Sequence, residues 1–435
     1  AGLTRRERLV WSLAVGLVLQ AVCLLLLLAV GTRPTAPKLL LLEAAAAGLG
    51  LLLTRSRRAQ PPAAAPASGP KSLVLFLACV AGAAWLVFLV GALADAMWAT
   101  DYLAFWGYKG KIVFLSSEVP RRLFQDPALY FAHREYPLLV PLSLAALASF
   151  LGQWNDQAMA LLFPVCSLAT LSAISGFLER RVSRLSGVAA AALASLCFFL
   201  YRPQNAGTAE VPFALGLVLA TSAAIDYLQR DRASSAWRLA VASLFCATLK
   251  QEGSLFVLLV AGVLWLRMRT SEARVRQSAV AALVLPVSAH WILLYFLRGN
   301  QTRRDFDFTL FAPHRWAELP ALFETVAGRM LGTEGRNAIV PLLAIAAFFI
   351  VTRRGIGDPL LPVFAVQLFF YAVAFAVSSF DPLYAIDGAF RRITMSLFPA
   401  FTLVLCARLL PEGATDRSAA AARTPPRPAA ETARN

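Results

Sequence analysis

The fold turns on "SLVLFLACVAGAAWLVFLVGALA", residues 72–94, and on the stretch soon after it, "TDYLAFWGYKGK", residues 100–111. The first is free of charge and long enough to cross about 30 Å of hydrocarbon as a helix, which takes roughly 20 residues. The second sets Asp101, Trp106, Lys109 and Lys111 close together. Ordinary connecting loops are small and polar. A chain that leaves a membrane and at once presents a carboxylate, aromatics and lysines has a reason to do so.

The same apolar pattern recurs outward from this point. Blocks lie at about 9–30, 38–53, 72–93, 136–151, 157–178, 186–201, 209–228, 236–250, 253–268, 278–297, 337–352, 358–378 and 391–410. The 435 residues are 58% hydrophobic and 15% charged, and mean hydropathy is +0.63. A soluble domain is typically about 45–50% apolar and about 25% charged. A membrane barrel would show alternating segments of about ten residues instead. The expected class is therefore an all-α polytopic membrane protein.

The net charge of +16 does not point to nucleic acid, because Lys and Arg sit in the loops between apolar blocks, where orientation signals sit. Cys23, Cys79, Cys166, Cys197, Cys246 and Cys406 all fall inside apolar blocks and form no CxxC pair. They read as buried small hydrophobes rather than a disulfide or zinc framework. His133, His290 and His314 are too scattered for a metal cluster. The N-terminal apolar run exceeds the 7–15 residues usual in a signal peptide's core and lacks a cleavage site after it. It reads as the first transmembrane helix.

The organisation read from the chain is residues 1–71 as two spans and the basic Pro/Ala-rich linker "TRSRRAQPPAAAPASGPK" (54–71), 72–410 as the main unit, and 411–435 as a low-complexity tail. Long loops fall at 94–135 and 298–336. The block "YPLLVPLSLAALASFL" (136–151) decides the topology. If it crosses, "ERRVSR" and "RMRTSEARVRQ" lie opposite the basic N-terminus. If it stays at the surface, they join the N-terminus, as the positive-inside rule prefers. The expectation is twelve spans plus an interfacial helix, with both termini cytoplasmic.

One outer face then collects several charged groups. Charges at helix ends near a bilayer are costly unless solvated or paired, and lean towards function. Asp101 is placed to act as a general base, or simply to cap a helix. Lys109 is either an interfacial anchor or a phosphate ligand. "HREYPLLVP" (133–141) puts His133 and Glu135 beside the Asp101 loop. "GTAEVPFAL" (207–215) sets Glu210 at the mouth of a span, where the helix dipole also favours it. "ATLKQEGSLF" (247–256) wedges Lys250 and Glu252 into a short turn that Gly253 permits. "DGAFRR" (387–392) places Asp387, Arg391 and Arg392 at the outer start of the last span, against the positive-inside rule. A bidentate phosphate clamp explains such arginines, and snorkelling to headgroups is the alternative. No Gly-rich phosphate loop, HExxH or nucleophile elbow is present. The energy for a reaction must arrive in the substrate.

In this order, "DYLAFWGYKGK", "HREYPLLVP", "AEVP", "KQEG" and "FRRITMSLFP" resemble a GT-C superfamily integral-membrane glycosyltransferase, nearest the bacterial branch of protein mannosyltransferases and aminoarabinose transferases. The resemblance spans roughly residues 72–410. It implies a multi-pass protein of the bacterial inner membrane that moves a sugar from a polyprenyl-phosphate donor to an extracytoplasmic acceptor, with inversion. Asp101 would be the base; Lys250, Arg391 and Arg392 would hold the donor phosphate. Glu210 and Glu252 would bind sugar hydroxyls or orient those cations. Lys109, His133, Glu135 and Asp387 complete the candidate substrate site. No cofactor is implied with certainty, and a divalent metal is compatible with the chemistry. The rival readings are a lipid-linked sugar transporter or flippase, which would be expected to show internal repeats, and an O-antigen polymerase or ligase.

Overall fold

The computed structural model describes residues 3–54, 69–95, 97, 99–133, 135–197, 201–229, 232–268, 273–298, 313, 316–331, 360–377 and 389–409. Among them every regular element is helical. In chain order these are α1 (Arg5–Ala29), α2 (Ala36–Thr54), α3 (Lys71–Ala94), α4 (Gly107–Leu115), α5 (Arg121–Gln125), α6 (Leu139–Leu151), α7 (Asp156–Ala160), α8 (Leu162–Arg181), α9 (Arg184–Ser195), α10 (Glu210–Gln229), α11 (Arg232–Leu249), α12 (Gln251–Arg267), α13 (Ala273–Arg298), α14 (Leu319–Leu331), α15 (Leu361–Ala376) and α16 (Arg391–Leu409), with short π and 3₁₀ turns between some of them. Among the described residues, five stretches are long and apolar enough to cross a membrane: Arg5–Ala29, Lys71–Ala94, Asp156–Arg181, Glu210–Leu228 and Ala273–Leu297. This is the architecture of a helical membrane protein. The expected span at 337–352, most of the loop 298–336 and the tail 411–435 lie outside the described residues.

Helix α10 is the central post. Its apolar window is 94% buried, and α8, α11, α12 and α16 pack around it. It has a carboxylate at each end, Glu210 and Asp226. Sixteen residues at about 1.5 Å rise separate them by about 24 Å.

The Asp226 end is a buried ionic knot. Arg180 Nη2 and Arg238 Nη1 lie 2.9 and 2.7 Å from Asp226 Oδ2, and Arg181 Nη2 lies 2.6 Å from Oδ1. Arg180 also reaches Glu7 at 2.9 Å. Glu7 has a second duty in α1: its Oε2 accepts from the Thr4 backbone N–H at 2.9 Å, while Thr4 Oγ1 accepts from the Glu7 N–H at 3.1 Å. That reciprocal box satisfies two of the helix's otherwise unpartnered donors. The knot thus joins α1, α8, α10 and α11. Arg180 and Arg181 of "ERRVSR", expected as orientation signals, also serve this packing, because two buried acids demand cations.

These contacts also sort the two ends of the bundle. Tyr227 donates to the Val275 carbonyl at 2.8 Å, so the start of α13 joins the Glu7–Asp226 end. Arg184, Arg267, Arg274 and Arg276, at the ends of α9, α12 and α13, gather there too. At the opposite end, the Tyr102 phenol donates to Asp156, and Trp85 Nε1 donates to the Pro164 carbonyl at 2.9 Å. The exit of α3 and the entry of α8 are therefore neighbours, and the chain between them returns to the end it left. Within that return, α6 is no bare surface helix. Ten of its thirteen residues are buried, because it is wedged against α4 and α1.

Replacing Asp226 by Asn tests the knot. Removing one side of a buried ion cluster strands the other at a cost of about 3–5 kcal/mol. The expected result is a clearly lower thermal midpoint for the purified chain in detergent. An unchanged midpoint would mean that water, not Asp226, compensates the arginines.

Candidate functional site

The site forms where three separate segments reach the far end of α10. Asp101 follows α3 and directly precedes a π-helical turn, Tyr102–Trp106. Arg392 opens α16 just after another π-helical pair, residues 389–390. Such π turns recur at functional sites because they re-aim side chains that a regular helix would point elsewhere. Lys250 is the single extended residue, φ −149° and ψ 153°, between α11 and α12. Glu252 lies in the first turn of α12.

Their side chains converge. Arg392 Nη2 is 2.8 Å from Asp101 Oδ2, and Arg392 Nε is 3.0 Å from Glu210 Oε1. The second contact is too oblique to be a hydrogen bond. Lys250 Nζ lies 3.0 Å from the same Glu210 oxygen and 3.2 Å from Glu252 Oε1. Two cations thus face three carboxylates. The cluster is graded from dry to wet: the Glu210 side chain is 1% exposed and Lys250 8%, whereas Asp101 keeps 19%, Arg392 22% and Glu252 26%. Burial pushes the Asp101 carboxyl above the ordinary aspartate range, Arg392 pulls it back, and Glu210 adds to the rise. Burial works against the Lys250 ammonium, but Glu210 and then Glu252 outweigh it and keep the lysine charged.

A second group adjoins this cluster. Gln251 Nε2 donates to the Glu135 carbonyl at 3.2 Å. His133 Nδ1 is 3.0 Å from Glu135 Oε1. The imidazole stacks on Tyr136 at 4.6 Å between ring centres and meets the edge of Phe105 at 4.4 Å. Tyr136 in turn stacks on Trp106 at 5.4 Å. His133 adopts φ 47°, a left-handed conformation that a side chain with a Cβ occupies only under constraint. Lys109 supplies much of that constraint. It is fully buried, donates to the His133 carbonyl at 2.6 Å, and lies 6.0 and 5.9 Å from the Trp106 and Tyr136 ring centres. In the sequence Lys109 reads as an interfacial anchor or a phosphate ligand; its ammonium is turned inward as a strut beneath the His133 loop.

Of the candidate residues, Asp101, Glu210, Lys250, Glu252 and Arg392 meet in one cluster, and His133 and Glu135 flank it. Asp387 and the Arg391 side chain lie outside the described residues. Gly253 plays a different part from the one expected. The turn falls at Lys250, and Gly253 lies inside α12 where a Cβ would sit 2.0 Å from the Cys246 carbonyl oxygen. It is glycine so that α11 and α12 can touch. Tyr102, Asp156, Tyr136 and two residues of α15, Gln367 and Tyr371, were not proposed as site residues from the sequence. Gln367 Nε2 donates to the Glu252 carbonyl at 3.2 Å. The signal for it was present: it is a lone amide in "LPVFAVQLFFYAVAFA". Among the described residues, no group of three or more His, Cys, Asp or Glu side chains is arranged to hold a metal ion.

With this geometry in view, the molecule is a helical membrane protein with a buried ionic cluster at one end of its central helix. Compared with known proteins, the chain matches no family model, no curated protein and no solved structure.

Gly253→Ala separates the two roles of that glycine. In an open helix the change would favour folding by about 1 kcal/mol. Against the Cys246 carbonyl it should cost about 1–3 kcal/mol through overpacking, lowering the thermal midpoint. A raised midpoint would show that α11 and α12 part easily.

Proposed function

We propose that the protein is a GT-C-type membrane glycosyltransferase, moving a sugar from a polyprenyl-phosphate donor to an acceptor, with Asp101 as general base. The observation that carries this reading is the Asp101–Arg392–Glu210–Lys250–Glu252 cluster. It joins a partly exposed carboxylate to two cations at the end of a membrane-suited bundle. We place that end on the extracytoplasmic face, because the arginine-bearing helix ends collect at the other end and the positive-inside rule makes that end cytoplasmic.

The chemistry asks for little else. A polyprenyl phosphate leaves as a stable anion, so the site needs a base for the acceptor hydroxyl and cations for the departing phosphate. Asp101 takes the acceptor's proton as its oxygen attacks the anomeric carbon. The bond to the phosphate oxygen breaks on the opposite side, and the phosphate leaves with that electron pair. A single displacement of this kind inverts the anomeric centre. Before the donor arrives, Arg392 is shared by Asp101 and Glu210. A donor phosphate competes for that guanidinium, and as it draws Arg392 away, Asp101 loses the charge that depresses its basicity. Donor binding would thereby ready the base.

Asp101→Asn should lower turnover of polyprenyl-phosphate sugars by about a hundredfold or more, the scale of a general base, with membrane levels matched. Release of lipid phosphate reads the result. Lipid crossing the bilayer with no release would favour the transporter instead.

The pH dependence has a defined sign. Asp101 must be ionised, and its raised pKa places the acid limb of kcat/KM above the ordinary aspartate value of about 4, with activity lost as pH falls through it. Arg392 opposes that rise. In Arg392→Gln the residual activity should therefore have its acid limb about 1–3 pH units higher, the usual effect of an adjacent opposite charge. A downward or absent shift would remove Asp101 from the role of base.

A further inference from the structure

Helix α15 brings two buried polar side chains to the site that the mechanism above leaves unused. Gln367 and Tyr371 are four residues apart, one turn along the same face. Aromatic pairs fix the height of α15 rung by rung. Phe364 lies against Phe256 of α12 at 5.6 Å and Phe401 of α16 at 5.4 Å between ring centres. One turn on, Gln367 is bonded to the Glu252 carbonyl. Two turns further, Phe375 lies against Phe390 at 5.9 Å, just before Arg391. Tyr371 falls between these last rungs, its hydroxyl beside the Gln367 side chain.

Gln367 is 0% exposed and Tyr371 4%. Yet among the described residues Gln367 Oε1 and the Tyr371 hydroxyl close no hydrogen bond of good geometry, and neither does Glu210 Oε2. Unpaired buried polar atoms are costly, and Gln367 is tied to the backbone of Glu252, whose side chain shares Lys250 with Glu210, so these three call for a ligand. Its chemistry follows from their own. Glu210 Oε2 and Gln367 Oε1 accept hydrogen bonds and cannot donate them. Phosphate oxygens also accept, and would leave both unsatisfied. Hydroxyl groups donate and accept, and satisfy all three.

We propose that Gln367 and Tyr371, together with Glu210, read hydroxyl groups of the sugar, while Lys250 and Arg392 face the phosphate. This rests on the glycosyltransferase reading for its substrate class, but it concerns recognition rather than turnover.

The test is binding by the full chain in nanodiscs. The probes are polyprenyl-phosphate glucose, galactose, mannose and arabinose, with bare polyprenyl phosphate as reference. At least one sugar-bearing probe should bind wild type more tightly than the reference. Tyr371→Phe should weaken that probe about tenfold, the scale of one lost neutral hydrogen bond, and leave the reference within about twofold. Gln367→Glu, of equal volume, should change the rank order of the sugars. Arg392→Gln should weaken every probe, the reference included. Unaltered sugar preference in both α15 variants overturns the inference, as does a wild type that binds no sugar probe more tightly than bare phosphate. Sugar-selective binding without turnover sinks the transferase and leaves the sugar-reading pair standing. Turnover with unchanged preference in the variants does the reverse.

Discussion

Glu210 is the constraint on which the rest of the molecule hangs. A carboxylate 1% exposed among apolar helices is untenable without cations. Lys250 comes from the turn between α11 and α12, and Arg392 from the start of α16. To supply them, three helix ends must meet at the head of α10. Asp226 imposes the same demand at its foot, drawing in α8 and α11, with α1 joined through Glu7. Buried ion pairs of this kind add little net stability. What they do is penalise every arrangement that leaves one partner alone. An apolar bundle inside lipid has few other devices for fixing register, since its side chains are as content against acyl chains as against each other.

The same demand explains the character of the site. A group that is structurally compulsory at its dry base, Glu210, shares a cation with a group at its wet edge, Asp101. The proposed chemistry needs the edge to be adjustable and the base to be fixed, and the gradient of exposure from Glu210 to Glu252 supplies both. The His133 loop is held to this edge from beneath by Lys109 and by a hydrogen bond from Gln251 to the Glu135 carbonyl, so the aromatic group beside the cluster is positioned rather than free.

Much of this was legible in the chain, for physical reasons that can be named. A long apolar run followed by a carboxylate is anomalous on cost alone, and so Asp101, Glu210, Lys250, Glu252 and Arg392 were singled out from where they stand. Their pairing was not legible, because Asp101 and Arg392 are far apart in sequence and no spacing rule connects them. In sequence Lys109 stays between an anchor and a phosphate ligand, because a lysine beside aromatics reads the same whether it faces headgroups, a ligand or the underside of a loop. Arg180 and Arg181 look like orientation signals and are also a clamp; only the position of Glu7 and Asp226 tells the difference. Gly253 was rightly seen as necessary but for the wrong constraint, a turn rather than a close approach. Gln367 and Tyr371 left a trace, two polar positions one turn apart in an otherwise apolar helix, that periodicity alone does not distinguish from background.

The bond between Glu7 and Arg180 has a consequence for how the molecule is made. The two residues are 173 positions apart. At about 5–20 residues per second, synthesis takes roughly 10–35 s to deliver the arginine after the glutamate has emerged. For that interval the first helix has its capping box but not its clamp, and its carboxylate has to stay in water or headgroups. The helix thus enters the bilayer as a provisional guest. Helices α2 and α6 pack on it earlier, but its carboxylate meets its buried partner only when the eighth helix arrives.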